Sequence, residues 1–389
     1  MSQPSSPFLV QEPRPIPPDE VATELAHLWQ EMTASLGGLM LRARALTFVA
    51  FTADPDRRGE LQEMLVAVSQ DHPSRAILLV AREGEEPELE TWASIQCLRP
   101  PDGEENPAIC TEQVIIEATP SALDRVTSLV LALTVPDIPV VVWWVGDPTP
   151  RQSPFEALFQ LADLFILDAT SFRAPFRSIR HEARLKARGG RRTVVTDLAW
   201  HFLAEWREHV AQLFDAPEWA AHLPDVRRVR VEFSSPPNTN LIVAPAFFMA
   251  GWIASRLKWQ PVSAHPLRGQ ATYELSFEAM SGPATVNIRP VKATTHGPGE
   301  LITVELETRD PVPLHFRLSR VDRTQCIDVI VEQDMTTLFH HVAAWQSLTL
   351  PEHLTRVILY TRRDRAFAET LRTLAPLAEE LAEPGESSS

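Results

Sequence analysis

The chain reads as an α/β protein, with a three-layer α/β domain followed by an α+β domain whose sheet is largely antiparallel. Three observations predict this. Its 389 residues exceed what one ordinary hydrophobic core organises. Between residues 21 and 195 strand-like and helix-like runs alternate. From residue 226 onward, strand-like runs follow one another with turn residues between them.

The first twenty residues hold six prolines and no apolar core, so 1–20 is expected to be a floppy lead-in and not a signal peptide. Val21, Leu25, Leu28 and Met32 fall at helical spacing, and Gly37-Gly38 closes that helix. Ala45–Phe51 is a strand. Asp54 and Pro55 open a helix that runs to about Ser69, as N-cap and first helical residue. Ile77–Val80 is a short buried strand, and 83–90 an acidic surface loop. Thr91–Leu98 and Ile109–Ala118 form a hairpin across RPPDGEENPA. Ser121 caps a helix to Thr134. Pro139–Trp144 is apolar on both faces, which predicts a central strand in a covered sheet. Helix 154–162, strand Phe165–Ala169 and helix Ala174–Arg188 complete the first domain, with a boundary near Val195.

The second domain, 196–382, opens with one long helix capped by Asp197, its buried stripe being Ala199, Leu203, Trp206, Val210 and Leu213. Val226–Phe233 is a strand and Asn240–Leu257 a buried helix, its apolar run too short for a membrane span. Strands follow at Thr272–Phe277, Thr285–Val291, Leu301–Leu306, Leu314–Leu318 and Ile327–Glu332, and His340-His341 falls on a helix. Arg363–Leu381 is the last helix, and 383–389 a frayed tail.

Composition removes whole classes of function. A net charge of −15 repels phosphate backbones and anionic membrane surfaces, which excludes wholesale nucleic-acid or membrane binding. The cations are 33 arginines and only three lysines, Lys186, Lys258 and Lys292, none of them in a recognised motif. Three cysteines fit a reducing cytoplasm better than a secreted disulfide scaffold. There is no G-x-G-x-x-G, no P-loop, no G-x-S-x-G elbow and no H-E-x-x-H, so no cofactor, metal or catalytic residue is expected.

Three constellations stand out, each with a plainer reading. Arg173, Arg177, Arg180, Arg184 and Arg188 recur at spacings of four, three, four and four, beside an apolar face of Phe172, Phe176, Ile179 and Ala183. With Lys186, Arg191 and Arg192 against the single acid Glu182, residues 171–192 carry +7. That face is either solvated or a docking patch for an acidic partner. His72, Arg75, Trp143, Trp144 and Asp147 are candidate pocket residues: a polar corner suited to an anion, and the C-terminal end of a central strand. Their plainer reading is a helix-to-strand turn and two core tryptophans. Cys97 and Cys110 are equidistant from the hairpin midpoint, so they are a redox candidate if bridged, and otherwise a pair of buried thiols.

The segments HPSR (72–75), PVVVWWVGDP (139–148), LADLFILDATSF (161–172), TDLAWHFLAEWREHVAQLFD (196–215) and AGWIASRLKW (250–259) together resemble the OpcA family of bacterial glucose-6-phosphate dehydrogenase assembly proteins. The WW strand and the DLAW…WRE…LFD helix are its most specific parts. The resemblance implies a non-catalytic partner that binds glucose-6-phosphate dehydrogenase and promotes its active form in the oxidative pentose phosphate pathway. It carries over no catalytic residues. In cyanobacterial members, cysteines link this activation to thioredoxin; the three cysteines here match no such pair by position. The alternatives are a sensor of sugar phosphates or nucleotides, and an enzyme acting on sugar phosphates with dispersed site residues.

Overall fold

The structure is a computed structural model that describes residues 8–10, 12–35, 40–98, 108–150, 154–189, 193–237, 241–267, 271–292, 295–309, 312–321, 325–360 and 363–382. The expected loop at 99–107, the glycines closing the first helix, Arg191, Arg192 and the tail 383–389 lie outside these residues. The chain divides into two compact units, each built from three segments. The first is Met1–Leu167, Gly189–Val195 and Thr349–Arg362; the second is Asp168–Arg188, Thr196–Leu348 and Arg363–Ser389. A single boundary near Val195 does not describe this interleaving.

The strands of the first sheet are, in chain order, β1 (Phe8–Val10), β2 (Arg14–Ile16), β3 (Met40–Arg42), β4 (Leu46–Thr52), β5 (Ser74–Ala81), β6 (Leu89–Leu98), β7 (Ala108–Ala118), β8 (Val140–Val145), β9 (Leu164–Leu167) and β10 (Val194–Asp197). Their spatial order is β1-β6-β7-β5-β4-β8-β9-β10, with β2 also on β6 and β3 on β7. From β7 through β9 the pairing is parallel, and β6 joins β7 antiparallel as the predicted hairpin. Every residue of β4 and β8 is buried, as a central strand covered on both faces requires. The lead-in is not floppy throughout: β1 and β2 pair with β6, and Ile16 is buried. Its prolines are tolerated because short edge strands need few N–H donors.

The second sheet contains β11 (Val226–Ser234), β12 (Gln260–Leu267), β13 (Thr272–Ala279), β14 (Gly282–Val291), β15 (Leu301–Thr308), β16 (Leu314–Arg320), β17 (Cys326–Gln333) and β18 (Thr336–Ala344). Its order is β12-β13-β14-β11-β15-β16-β17-β18. All neighbours run antiparallel except β11 and β14. Helix Ala244–Arg256 is buried over most of its circumference, which is why its sequence shows no polar stripe. It approaches helix Arg365–Leu381 at Gly251, where a Cβ would overlap Leu374.

Four expectations are corrected. His340 and His341 lie on β18, not on a helix. The turn into that strand uses Asp334 and Met335 at φ 49° and 63°, so the glycine that usually marks such a turn is absent. β12 escaped notice because Pro261 and Pro266 argue against a strand, yet it is an edge where a missing N–H costs little. The long helix after Asp197 is two helices, Leu198–Phe202 and Ala204–Leu213. Arg207 donates to the Trp200 carbonyl, an acceptor that a continuous helix would use itself. Helix Leu350–Tyr360, not foreseen, packs on helix Arg58–Asp71 in the first unit.

Candidate functional site

The arginine-rich segment forms helix Pro175–Gly189 in the second unit. Its buried stripe is Ser178, Ile179, Glu182 and Leu185, and Phe176 packs against Phe247 and Tyr273 at 4.9 and 5.2 Å between ring centres. The five arginines do not share one solvent face. Arg173, Arg184 and Arg188 are exposed and Arg177 is half-buried. Arg180 turns inward, 14% exposed, and pairs with Glu379 at 3.1 Å. Exact helical spacing does not hold it outside, because it borders the buried position Ile179.

Glu182, the only acid of this helix, is completely buried, and neither carboxylate oxygen has a hydrogen-bond partner. Burial pushes its pKa well above the carboxylate range; the charge of Asp197 adds to this and Lys186 opposes it. Asp197 ends β10 and is itself raised, by burial first and Asp168 second, although it accepts from the backbone N–H of Ala199 at 2.7 Å and Ala169 at 2.9 Å. Lys186 is pulled down by burial, against the pull of Asp364 and Glu182, and lies 5.2 Å from the Phe367 ring centre. Arg207 stacks 3.5 Å from the Trp200 ring centre and is pushed down to about 10 by burial, with Asp364 opposing. Asp364 accepts from Trp200 Nε1 at 2.7 Å and caps helix Arg365–Leu381 through Phe367 N–H at 2.9 Å. With Glu182 buried, this helix presents no carboxylate at its surface. Among the described residues no group of three or more His, Cys, Asp or Glu is arranged to hold a metal ion.

The candidate pocket residues are not brought together. Through β4, Arg75 is level with Val140, whereas Trp144 is level with Phe51 and Leu79. Four residues of strand at ~3.3 Å each put Arg75 and Trp144 about 13 Å apart along the strands. Arg75 is engaged elsewhere: its Nε donates to Glu112 at 2.6 Å and a terminal nitrogen to the Leu133 carbonyl at 2.5 Å. Glu112, with a fully buried side chain, also accepts from Arg42, Arg44 and Trp29 Nε1. His72 is buried at the end of helix Arg58–Asp71, its Nε2 3.2 Å from the Thr355 carbonyl oxygen.

Trp143 and Trp144 are both buried, on opposite faces of β8. Trp144 stacks on Phe51 at 3.8 Å, meets Phe155 edge-on at 4.7 Å and donates to the Asp147 carbonyl at 3.1 Å. These residues fill the C-terminal ends of β4 and β8, where the strand order reverses and where ligands of open α/β sheets commonly sit. Gly146, at φ 120°, makes the turn that brings Asp147 back to Trp144.

Cys97 and Cys110 are direct cross-strand partners on β6 and β7, buried and disulfide-bonded, with Cα atoms 4.0 Å apart. Of the two readings open for this pair, the bridge is the one present. Sequence reasoning missed the acid cluster of Asp168, Glu182 and Asp197. One signal was available: Glu182 lies three residues after Ile179, on the apolar stripe and not among the arginines.

Two family models match the chain. One describes the N-terminal domain of a glucose-6-phosphate dehydrogenase subunit and matches residues 66–184; the other describes its C-terminal domain and matches 193–371. An OxPP cycle protein OpcA from Synechocystis sp. is 29% identical over 247 residues, 62% of this chain and 48% of that protein. One from Nostoc punctiforme is 28% identical over 246 residues, 62% and 50% of the two chains. The chain thus spans about half the length of the curated relatives it matches. Among solved structures, a 3-ketoreductase from Actinomadura kijaniata aligns with a TM-score of 0.49 and 12% identity, over 86% of this chain and 96% of that one. An overlay at that level carries no statement about chemistry.

Proposed function

The chain belongs to the OpcA family of glucose-6-phosphate dehydrogenase assembly proteins, and we propose that it is a non-catalytic factor that binds this dehydrogenase and promotes its active form. The observation that carries the reading is the pair of family domains, in order, over most of the chain. The engaged state of the expected pocket residues supports a binding role over a catalytic one: Arg75 is committed to Glu112, and Trp143 and Trp144 to the core. Such a partner would put the chain in the cytoplasm, in the oxidative pentose phosphate pathway.

The thermodynamic demand is modest. An activator must bind the active form better than the inactive one, and a tenfold shift takes about 1.4 kcal/mol of differential affinity. Arg184 and Arg188 of helix Pro175–Gly189, with Arg173 just ahead of it, supply part of the contact in this reading, facing acidic groups on the partner. The test is co-purification with the dehydrogenase of the same organism, with its activity measured with and without this chain. Absence of both binding and activation overturns the reading. Arg184→Glu with Arg188→Glu should weaken binding while leaving the circular dichroism spectrum unchanged; equal affinity by calorimetry would remove this helix from the interface.

A further inference from the structure

One face of the second sheet carries its apolar residues, among them Val229, Val231, Val304, Leu306, Phe316 and Leu318. The alternate residues form the opposite face, and the strand register arranges them in transverse rows. In one row Arg228, Glu307, His315 and Glu332 stand side by side on β11, β15, β16 and β17. In the next, the same four strands offer Arg230, Glu305, Arg317 and Ile330. A third row places Arg289 of β14 beside Glu232 of β11.

The ion pairs follow these rows. Arg228 pairs with Glu307, Arg289 with Glu232, and Arg230 with Glu305 at 2.5 Å. The middle row is one carboxylate short. Glu305 stands between two arginines and pairs with Arg230, and on the far side of Arg317 the register supplies Ile330. Among the described residues Arg317 makes no hydrogen bond or ion pair, and its Nε is buried without a partner. A buried guanidinium N–H left unpaired costs free energy that a bound acceptor would recover.

Arg317 opens on a cleft of about 450 Å³, also lined by Arg228, Arg230, Arg289, His315 and Asn287. Glu305, Glu307 and Glu332 line it too; Arg230 and Arg228 take up the first two, Arg289 is taken up by Glu232, and Glu332 stands diagonal to Arg317 across β16 and β17. The volume is that of a metabolite-sized site. The neighbouring ion pairs already hold Arg228, Arg230 and Arg289 in place, so a ligand need not order them.

From this geometry we infer that the cleft binds a small molecule bearing an oxyanion, a phosphate or a carboxylate, seated on the guanidinium fork of Arg317. The site lies outside the arginine-rich helix and does not depend on the dehydrogenase reading.

The test is isothermal titration of the full chain with inorganic phosphate and, separately, with citrate. Saturable binding of one or both is expected, and the tighter of the two identifies the class of anion. Arg317→Met keeps the apolar stem and removes the charge, and should weaken binding at least tenfold. Arg317→Lys keeps the charge without the fork and should fall between. Arg372→Met, on helix Arg365–Leu381, should leave affinity unchanged. No saturable binding of either anion by the native chain overturns the inference, as does equal affinity of the Arg317→Met variant at an unchanged melting temperature.

Discussion

Replacing Glu112 with glutamine keeps the outline of the side chain and removes its charge. The carboxylate is 0% exposed and receives three guanidiniums and an indole N–H. The contact with Arg75 weighs most. Arg75 is 11% exposed, donates its Nε at 2.6 Å, and is the cross-strand neighbour of Glu112 in register. Removing one partner of a buried pair costs about 3–5 kcal/mol, because the other charge is left without compensation. Arg42, at 42% exposed, is screened by solvent and adds at most ~1 kcal/mol. A glutamine accepts through one oxygen only, so at least two of the four donors lose their acceptor.

The expected destabilisation of the first unit is therefore about 3–5 kcal/mol. At ~2–4 °C per kcal/mol for a body of this size, its thermal transition should fall by roughly 6–20 °C. Differential scanning calorimetry reads this directly. Arg42→Ala serves as the internal comparison and should stay within about 1 kcal/mol of the native chain. A Glu112→Gln variant that melts within a degree of the native protein would refute the hub, since the three arginines would then owe their positions to packing and not to this carboxylate.

Glu182→Met removes a buried carboxyl that has no hydrogen-bond partner and should stabilise the second unit by about 1–3 kcal/mol at neutral pH. The folded pKa of Glu182 is raised, so native stability falls as pH rises above ~4.3 while the variant escapes this loss; a stability difference that stays constant with pH in urea melts would refute it. His353 is pushed down to about 4, by burial first and Arg356 second, so its unfolded form takes up protons earlier. The first unit should lose stability as pH falls from ~6.5 through 4, and His353→Gln should flatten that slope in urea melts at pH 7.5 and 5. Unreduced and denatured, the chain should titrate one thiol, Cys326, and three after reduction; three before reduction would exclude the bridge between Cys97 and Cys110. At a sequence separation of 13, the bridge should be worth about 3 kcal/mol against the reduced chain.

What could be read from the residues was what repeats along the chain. Pro139–Trp144 was recognisable as a central strand because a short all-apolar run of valine and tryptophan, closed by Gly146 and Pro148, suits a strand covered on both faces. The hairpin of β6 and β7 followed from its turn, and with it the opposition of Cys97 and Cys110. Spacing along one element does not report what stands behind it. The five arginines have regular helical spacing, yet Arg180 lies against helix Arg365–Leu381, and nothing near residue 180 announces Glu379. His72 and Arg75 are three residues apart and looked like one polar corner. Their partners, Thr355 and Glu112, come from remote parts of the chain and set them to separate tasks.

The same limit explains where new function becomes visible. Charge that sequence distributes evenly is sorted by register: β11, β15 and β16 each alternate charged and apolar residues, as any half-covered strand does. Only their alignment shows that Arg228 and Arg230 pair with acids while Arg317 faces Glu305, already taken by Arg230, on one side and Ile330 on the other. An unpaired guanidinium on one element is unremarkable in a chain with 33 arginines. One left over from a ladder that pairs its neighbours, with its Nε buried, is a specific unmet donor. For the arginine-rich helix the logic runs the other way. Its one acid is buried with its pKa raised, so the helix presents no carboxylate at its surface beside Arg184 and Arg188.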